Sequence, residues 1–150
     1  EAESLHQEGL LQGNENGLDL LKPLTRAEAV TLLIRAMGLE QSALVNVSTS
    51  VFTDMYNTEW AIPYVMCAYE NGITTGTEEG LFNPEGPVTA DQFATFTLRA
   101  AGESDFDYTE GMQILIDRGI ITEEQSETMD LFTRGDMAKI IYEARENGLL

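Results

Sequence analysis

The sequence predicts an all-α fold of three helix–loop–helix repeats that close on each other with their long helices inside. The first observation is a helix-start signal that occurs three times, at Thr25, Thr89 and Thr133. Each Thr is followed three residues later by Glu, Gln or Asp, which is the spacing of a capping box, because the two side chains satisfy each other's free backbone amides. The second observation is an apolar stripe at helical spacing after each cap. In the first repeat this stripe comprises Val30, Leu33, Ile34 and Met37.

The 150 residues are enough for one domain with a sizeable core. We predict a single domain spanning 1–150, with repeats at about 1–40, 52–102 and 106–150. One such repeat cannot bury its apolar face alone, so the three must pack together. Residues 39–51 are rich in Ser, Thr and Val and are predicted to be a linker.

Each repeat begins with a shorter helix and continues into a loop that contains glycine. The first short helix is predicted to end at Gly9, the second to run from Glu59 to Asn71, and the third to cover 110–118. The loop at 9–13 aligns with the loop at 72–76, because both have glycine at the first and last positions. This match indicates a true internal repeat.

Composition excludes several classes of function. The chain has 26 acidic and 8 basic residues, which gives a formal net charge of -18. Nucleic acids and anionic lipid surfaces both require clustered basic residues, so we expect neither as a partner. No apolar run is long enough to insert into a membrane. Cys67 is the single cysteine, so no internal disulfide forms, and it is predicted to pack in the core.

An enzyme is not expected. His6 is the only histidine, and neither Ser nor Cys lies in a recognisable arrangement with it. Ligands for zinc are lacking, and the acidic pairs do not follow the pattern of an ordered calcium loop. We therefore expect no catalytic residue, no metal and no cofactor.

A set of motifs spread over nearly the whole chain resembles the S-layer homology domain. The motifs are Phe52-Thr53-Asp54-Met55, Trp60-Ala61, Glu70-Asn71-Gly72-Ile73-Thr74-Thr75-Gly76, Leu81-Phe82-Asn83-Pro84, Leu24-Thr25-Arg26-Ala27-Glu28 and Phe132-Thr133-Arg134-Gly135-Asp136. The resemblance implies a pseudo-threefold helical domain of a secreted protein at the bacterial cell surface. It also implies attachment to a secondary cell-wall polysaccharide, often pyruvylated, that binds in grooves between repeats, with other surface-layer proteins as further partners.

The resemblance also implies a set of glycan-binding residues. In this family the Arg of the Thr-Arg-Ala-Glu motif meets an anionic sugar, with help from loop amides, an Asp and aromatic side chains. Carried over to this sequence, the set is Arg26, Arg134, Asp54, Trp60, Gly13 and Gly76. The chemistry agrees, because a guanidinium presents a fork of donors to a carboxylate and the free amides of a helix start add more.

Simpler roles are open for several of these residues. The two arginines can pair with nearby carboxylates such as Glu28 or Asp136, Trp60 can belong to the core, and Asp54 can cap a helix. A second hypothesis for the whole chain is a structural or protein-interaction module of the surface layer with degenerate glycan sites. The net charge of -18 favours this alternative, as does Ala90, which stands where the second repeat would have its arginine.

Overall fold

The computed structural model describes residues 1–11, 17–46 and 49–150. In this part of the chain there are eight α-helices and no β-strand, which confirms the all-α prediction. The helices are α1 (Ala2–Gln7), α2 (Arg26–Ala36), α3 (Glu40–Val45), α4 (Ile62–Glu70), α5 (Ala90–Ala100), α6 (Gly111–Asp117), α7 (Glu123–Ser126) and α8 (Arg134–Glu146). Turns of 3-10 helix at Glu59–Ala61 and Tyr108–Glu110 lead into α4 and α6.

The long helices α2, α5 and α8 begin as the sequence predicts. In each, the Thr side chain accepts a hydrogen bond from the backbone amide three residues on, and the side chain at that position accepts one from the Thr amide. The three capping boxes at Thr25, Thr89 and Thr133 are therefore confirmed. After α2 the chain turns at Gly38, whose φ of 73° lies in the left-handed region that ends many helices.

The core is built around these three helices. Each of them contacts the other two. The first of them, α2, is buried from Arg26 to Ile34 with the exception of Glu28, so it is enclosed on nearly all sides. The ring centroids of Phe93 on α5 and Phe132 before α8 lie 5.3 Å apart, and this contact joins α5 to the segment that leads into α8.

The short helix that begins each predicted repeat packs on the long helix of a different predicted repeat. The contacts join α4 to α2, α6 to α5 and α1 to α8. The α1–α8 contact buries Leu5 completely and carries two ion pairs, Lys139–Glu1 at 2.8 Å and Arg145–Glu8 at 2.6 Å. The first and last helices of the chain are thereby joined.

The predicted linker at 39–51 is wrong in part, because α3 occupies Glu40–Val45. Four of its six residues, Glu40, Gln41, Ala43 and Leu44, are good helix formers. The helix packs on α4, buries Ala43 and places Glu40 against Arg35 and Tyr64. The short helix α7, capped by Thr122, was not predicted either. In the described residues, none of the helices has the length and apolar character that crossing a lipid bilayer requires.

Candidate functional site

A cavity of about 330 Å³ lies along one face of α5 and is named here the α5 groove. Its lining comes from the start of α2, the glycine loop of the second repeat, α5 itself and the 3-10 turn before α6. The lining residues with polar groups are Arg26, 74–77, Gln92, Thr95, Arg99 and Tyr108. None of the described residues that line it is acidic, although the chain as a whole carries a net charge of -18.

Backbone contacts hold the start of α2 against the loop that precedes α5. The amide of Arg26 donates to the Gly86 carbonyl at 2.9 Å, and the amide of Ala27 donates to the Pro84 carbonyl at 3.0 Å. These are the amides that a helix start would otherwise offer to an anion. The expectation that this helix start supplies donors to a ligand is therefore wrong for α2.

The Arg26 side chain is almost fully buried, with 4% of the residue exposed. Its Nε donates to the Phe82 carbonyl at 2.9 Å, and its guanidinium lies over the rings of Phe82 and Phe96. Burial lowers the pKa of Arg26 to about 10, so the side chain is still charged at neutral pH. Its two terminal nitrogens make no hydrogen bond to any residue that the structure describes. They are available to a group that enters the α5 groove.

The simpler interpretation, in which Arg26 forms an ion pair with Glu28, is wrong. The Glu28 carboxylate is used in the capping box of α2, where it accepts from the Thr25 amide and hydroxyl at 3.3 and 3.0 Å. The carboxylate that acts on Arg26 is Asp54, whose charge opposes the effect of burial on the pKa of Arg26.

Asp54 is a positioning residue for this groove. Its two oxygens accept hydrogen bonds from the amides of Phe82 at 2.9 Å and Asn83 at 2.7 Å. The interpretation of Asp54 as a helix cap is therefore wrong. The carbonyl of the same Phe82 accepts the hydrogen bond from Nε of Arg26. Asp54 therefore positions the Arg26 side chain indirectly, by holding the backbone at Phe82 and Asn83 in place.

Gly76 lines the same groove and has no room for a side chain. Its φ of 90° is left-handed, and a Cβ atom would collide with the Leu81 carbonyl oxygen and lie 2.7 Å from Cε1 of Phe52. The Gly76 amide already donates a hydrogen bond to the Thr74 hydroxyl at 3.1 Å, so it is not a donor to a ligand in this groove. Gly76 therefore shapes the groove and brings the loop backbone close to it.

A second cavity of about 170 Å³ lies along α2 and is named here the α2 groove. Arg134, from the start of α8, lines it together with Glu28, Arg35 and Trp60. Arg134 is held as Arg26 is, because its Nε donates to the Leu18 carbonyl at 3.1 Å. The first two amides of α8 likewise donate to carbonyls of the loop before α2, at 3.0 and 2.8 Å.

Trp60 stands at this groove with 54% of its surface exposed, so the interpretation of Trp60 as a core residue is wrong. An exposed indole at a cavity suits contact with the apolar face of a sugar ring.

Arg35 of the α2 groove is bound to residues of the chain itself. Its Nε lies 2.9 Å from the Glu40 carboxylate, which also accepts a hydrogen bond from the Tyr64 hydroxyl at 2.7 Å. These hydrogen bonds lower the pKa of Glu40.

A third cavity of about 220 Å³ lies along α8 and is named here the α8 groove. Lys139 and Glu143 line it, and Lys139 forms the ion pair with Glu1. At the start of α5, where the other two long helices have arginine, the chain has Ala90. Among the described residues that line the α8 groove there is no arginine, whereas Arg26 and Arg134 line the other two grooves.

The structure divides the predicted site residues between two grooves. Arg26 and Gly76 line the α5 groove, with Asp54 behind it, whereas Arg134 and Trp60 line the α2 groove. Gly13 lies outside the described residues, so its predicted role stays a prediction.

Two residues of the α5 groove, Arg99 and Tyr108, were missed at the sequence level. One signal was available for Arg99. Counted from the caps Thr89 and Thr25, it holds the helix position of Arg35.

Comparison with protein families gives a match for the middle of the chain. Residues 51–94 match the S-layer homology domain. The matched segment runs from the Phe52 motif into α5 and includes Asp54, Trp60 and Gly76. The match supports the resemblance that the motifs indicate and covers most of one predicted repeat, the second at 52–102, so the threefold repetition stays a prediction.

Several similar proteins are named as proteins of the bacterial cell surface or cell wall. The chain is 31% identical over 127 residues to a "Cell surface protein" of Thermoanaerobacter kivui, which covers 83% of this chain and 17% of that protein. It is 37% identical over 95 residues to the "Middle cell wall protein" of Brevibacillus brevis, with 63% of this chain and 9% of that protein covered. A "Cellulosome-anchoring protein" of Acetivibrio thermocellus is 29% identical over 92 residues, with 59% and 20% covered. The chain thus spans a fifth or less of the length of these relatives.

Proposed function

We propose that this chain is a non-catalytic anchoring module that attaches a secreted protein to the bacterial cell wall by binding an acidic secondary polysaccharide, such as a pyruvylated one, in the grooves between its repeats. The S-layer homology match and the names of the relatives support a place at the cell surface. The pairing of each short helix with the long helix of another repeat supports a pseudo-threefold arrangement with such grooves.

One observation carries the binding proposal. Arg26 is 4% exposed, yet only its Nε has a hydrogen-bond partner among the described residues, and the side chain lines a cavity. A buried charge costs free energy, and the Asp54 charge offsets only part of that cost, because burial still lowers the pKa of Arg26 to about 10. An anionic ligand at the terminal nitrogens would offset more of it. The cations of this groove also stand out in a chain of strongly negative charge, which otherwise repels an acidic polymer.

The test is co-sedimentation with purified, protein-free cell-wall sacculi of the host, using wild type, Arg26→Gln and Arg134→Gln. Glutamine places its amide nitrogen where arginine has Nε, so the bonds to the Phe82 and Leu18 carbonyls can persist while the charge is lost. Arg145→Gln is the matched control, because it removes the same charge from the α1–α8 contact, away from the α5 and α2 grooves.

We expect wild type and Arg145→Gln to sediment with the walls and Arg26→Gln to bind at least about tenfold more weakly. If wild type stays in the supernatant, the anchor proposal is refuted.

The second candidate is a structural or protein-interaction module of the surface layer with degenerate glycan sites. The α8 groove favours it, because no arginine is among its described lining residues and its Lys139 is already paired with Glu1. This candidate predicts wall binding that is absent, or equal in wild type and Arg26→Gln.

A further inference from the structure

We propose that the α5 groove, and not the α2 groove, grips a compact anionic group of its ligand between two arginines, Arg26 and Arg99. Arg99 is the residue that decides this difference. The group has two or more terminal oxygens, as in a sugar carboxylate or a sugar phosphate. The inference rests on the proposed function, in that it takes the ligand to be an acidic glycan.

Arg99 is available to bind an anion, whereas Arg35, at the same helix position in α2, is already paired with Glu40. It is half-buried at the α5 groove, and its one hydrogen bond in the described residues is a long one, from Nη1 to the Ile73 carbonyl at 3.4 Å. It forms no ion pair with any described residue. Two guanidinium groups, Arg26 and Arg99, therefore face one cavity without a carboxylate in its described lining.

The α2 groove has the same plan but a different charge balance. Arg35 occupies the position of Arg99, but Glu40 binds it at 2.9 Å, and its guanidinium lies over the Tyr64 ring. Glu28 stands in the lining where the α5 groove has the neutral Gln92. A carboxylate in the wall repels an anion, and an arginine already paired has less to gain from one.

The shape of the α5 groove fits an anionic sugar rather than a bare ion. Its volume of about 330 Å³ is roughly twice that of the α2 groove, at about 170 Å³. Tyr108 lines it with 56% of its surface exposed, so an aromatic face is available beside the two cations. Two planar guanidinium forks can share the oxygens of one carboxylate or phosphate, and each bond is charge-assisted.

The experiment is an NMR titration of the intact 150-residue chain with three probes. The probes are methyl β-D-glucuronide, which carries a carboxylate, glucose 1-phosphate, and the neutral methyl β-D-glucoside. Amide shifts at 75–77 report on the α5 groove, and amide shifts at Leu10 and Leu11 report on the α2 groove. The two anionic probes separate a carboxylate ligand from a phosphate ligand.

We expect at least one anionic probe to shift 75–77 first, with an affinity at least about tenfold above that of the glucoside. Arg99→Gln should lose about tenfold in affinity for that probe and little for the glucoside. Arg99→Lys should recover part of the loss. The matched variant Arg35→Gln should leave the titration of the α5 groove unchanged.

A second part of the experiment tests whether the α2 groove can be made to bind an anion. The double variant Glu28→Gln with Glu40→Gln gives the α2 groove the charge pattern of the α5 groove. Gln at position 28 can keep the cap of α2, because Gln92 caps α5 in the same way, by accepting from the Thr89 amide at 3.2 Å. We expect this variant to show anion-dependent shifts at Leu10 and Leu11 that the wild type lacks.

The inference is overturned if neither anionic probe shifts 75–77, if both grooves respond equally in wild type, or if Arg99→Gln binds as wild type does. Its failure is distinct from that of the anchor proposal. Wild type that sediments with walls but is insensitive to Arg99→Gln keeps the anchor and removes the two-arginine site.

Discussion

Replacing Gly76 with alanine should both destabilise the domain and close part of the α5 groove. The matched control is Gly80→Ala in the same loop. Both glycines have left-handed φ values, 90° at Gly76 and 76° at Gly80, but a Cβ at Gly80 meets no atom within 4 Å. The control therefore isolates the conformational cost, about 1–2 kcal/mol for a residue with a Cβ in this region.

At Gly76 two further costs are added to the conformational one. The new methyl group collides with the Leu81 carbonyl oxygen, which accepts from the Thr77 amide at 2.9 Å, and displacing it loses a hydrogen bond worth about 1 kcal/mol. It also lies 2.7 Å from the ring of Phe52, which is packed against Phe82 and Tyr69. Overpacking of this kind costs about 1–3 kcal/mol. The expected loss for Gly76→Ala is therefore about 3–6 kcal/mol in total.

The assay is equilibrium urea unfolding of both variants and wild type, followed by circular dichroism and by Trp60 fluorescence. The free energy of unfolding should fall by at least about 2 kcal/mol more for Gly76→Ala than for Gly80→Ala. Equal losses in the two variants would refute the close packing of the loop against Phe52 and Leu81. If the Gly76→Ala protein stays folded, it should also sediment less with cell walls than Gly80→Ala does.

Three further predictions concern interactions that stabilise the domain. Asp54→Ala should cost about 2 kcal/mol of unfolding free energy and weaken wall binding, since two loop amides lose a charged acceptor; unchanged stability would contradict that role. The pKa of Glu40 is lowered by hydrogen bonds from Tyr64 and Arg35, so its contribution is present at neutral pH and is lost as the pH falls through that lowered value. The stability difference between wild type and Glu40→Gln should therefore shrink as the pH falls below the ordinary glutamate pKa of 4.5, and a constant difference would exclude the ionised bond. Leu5→Ala should cost about 2–5 kcal/mol in urea unfolding because Leu5 is fully buried, and a loss below about 1 kcal/mol would show that α1 does not close on α8.

The helix starts were predictable because their causes are local. A capping box depends on two residues three positions apart, and all three boxes are present at Thr25, Thr89 and Thr133. The region 39–51 was not predictable in the same way. The helix α3 forms there through contacts with α4 and through the bond between Glu40 and Tyr64, which lie 24 residues apart.

The exposure of Trp60 also depended on distant residues. An aromatic residue on an apolar helix face is usually part of the core, but Trp60 is 54% exposed and lines the α2 groove. Which side of a short helix faces solvent depends on the long helix on which it packs, and α4 packs on α2, which is distant from it in the sequence.

By itself, the sequence determined the all-α class, the three long helices and the arginines that open two of them, because short-range hydrogen bonding and apolar periodicity specify these features. Only the tertiary structure decided how the site residues are distributed. Arg26 meets the Phe82 carbonyl across 56 residues of sequence, and Arg134 meets the Leu18 carbonyl across 116. The physical reason is that each groove forms where segments distant in the sequence pack together. At the α5 groove the cavity is also lined by Arg99, which forms no ion pair with a described residue, whereas at the α2 groove it is lined by Arg35, which is paired with Glu40.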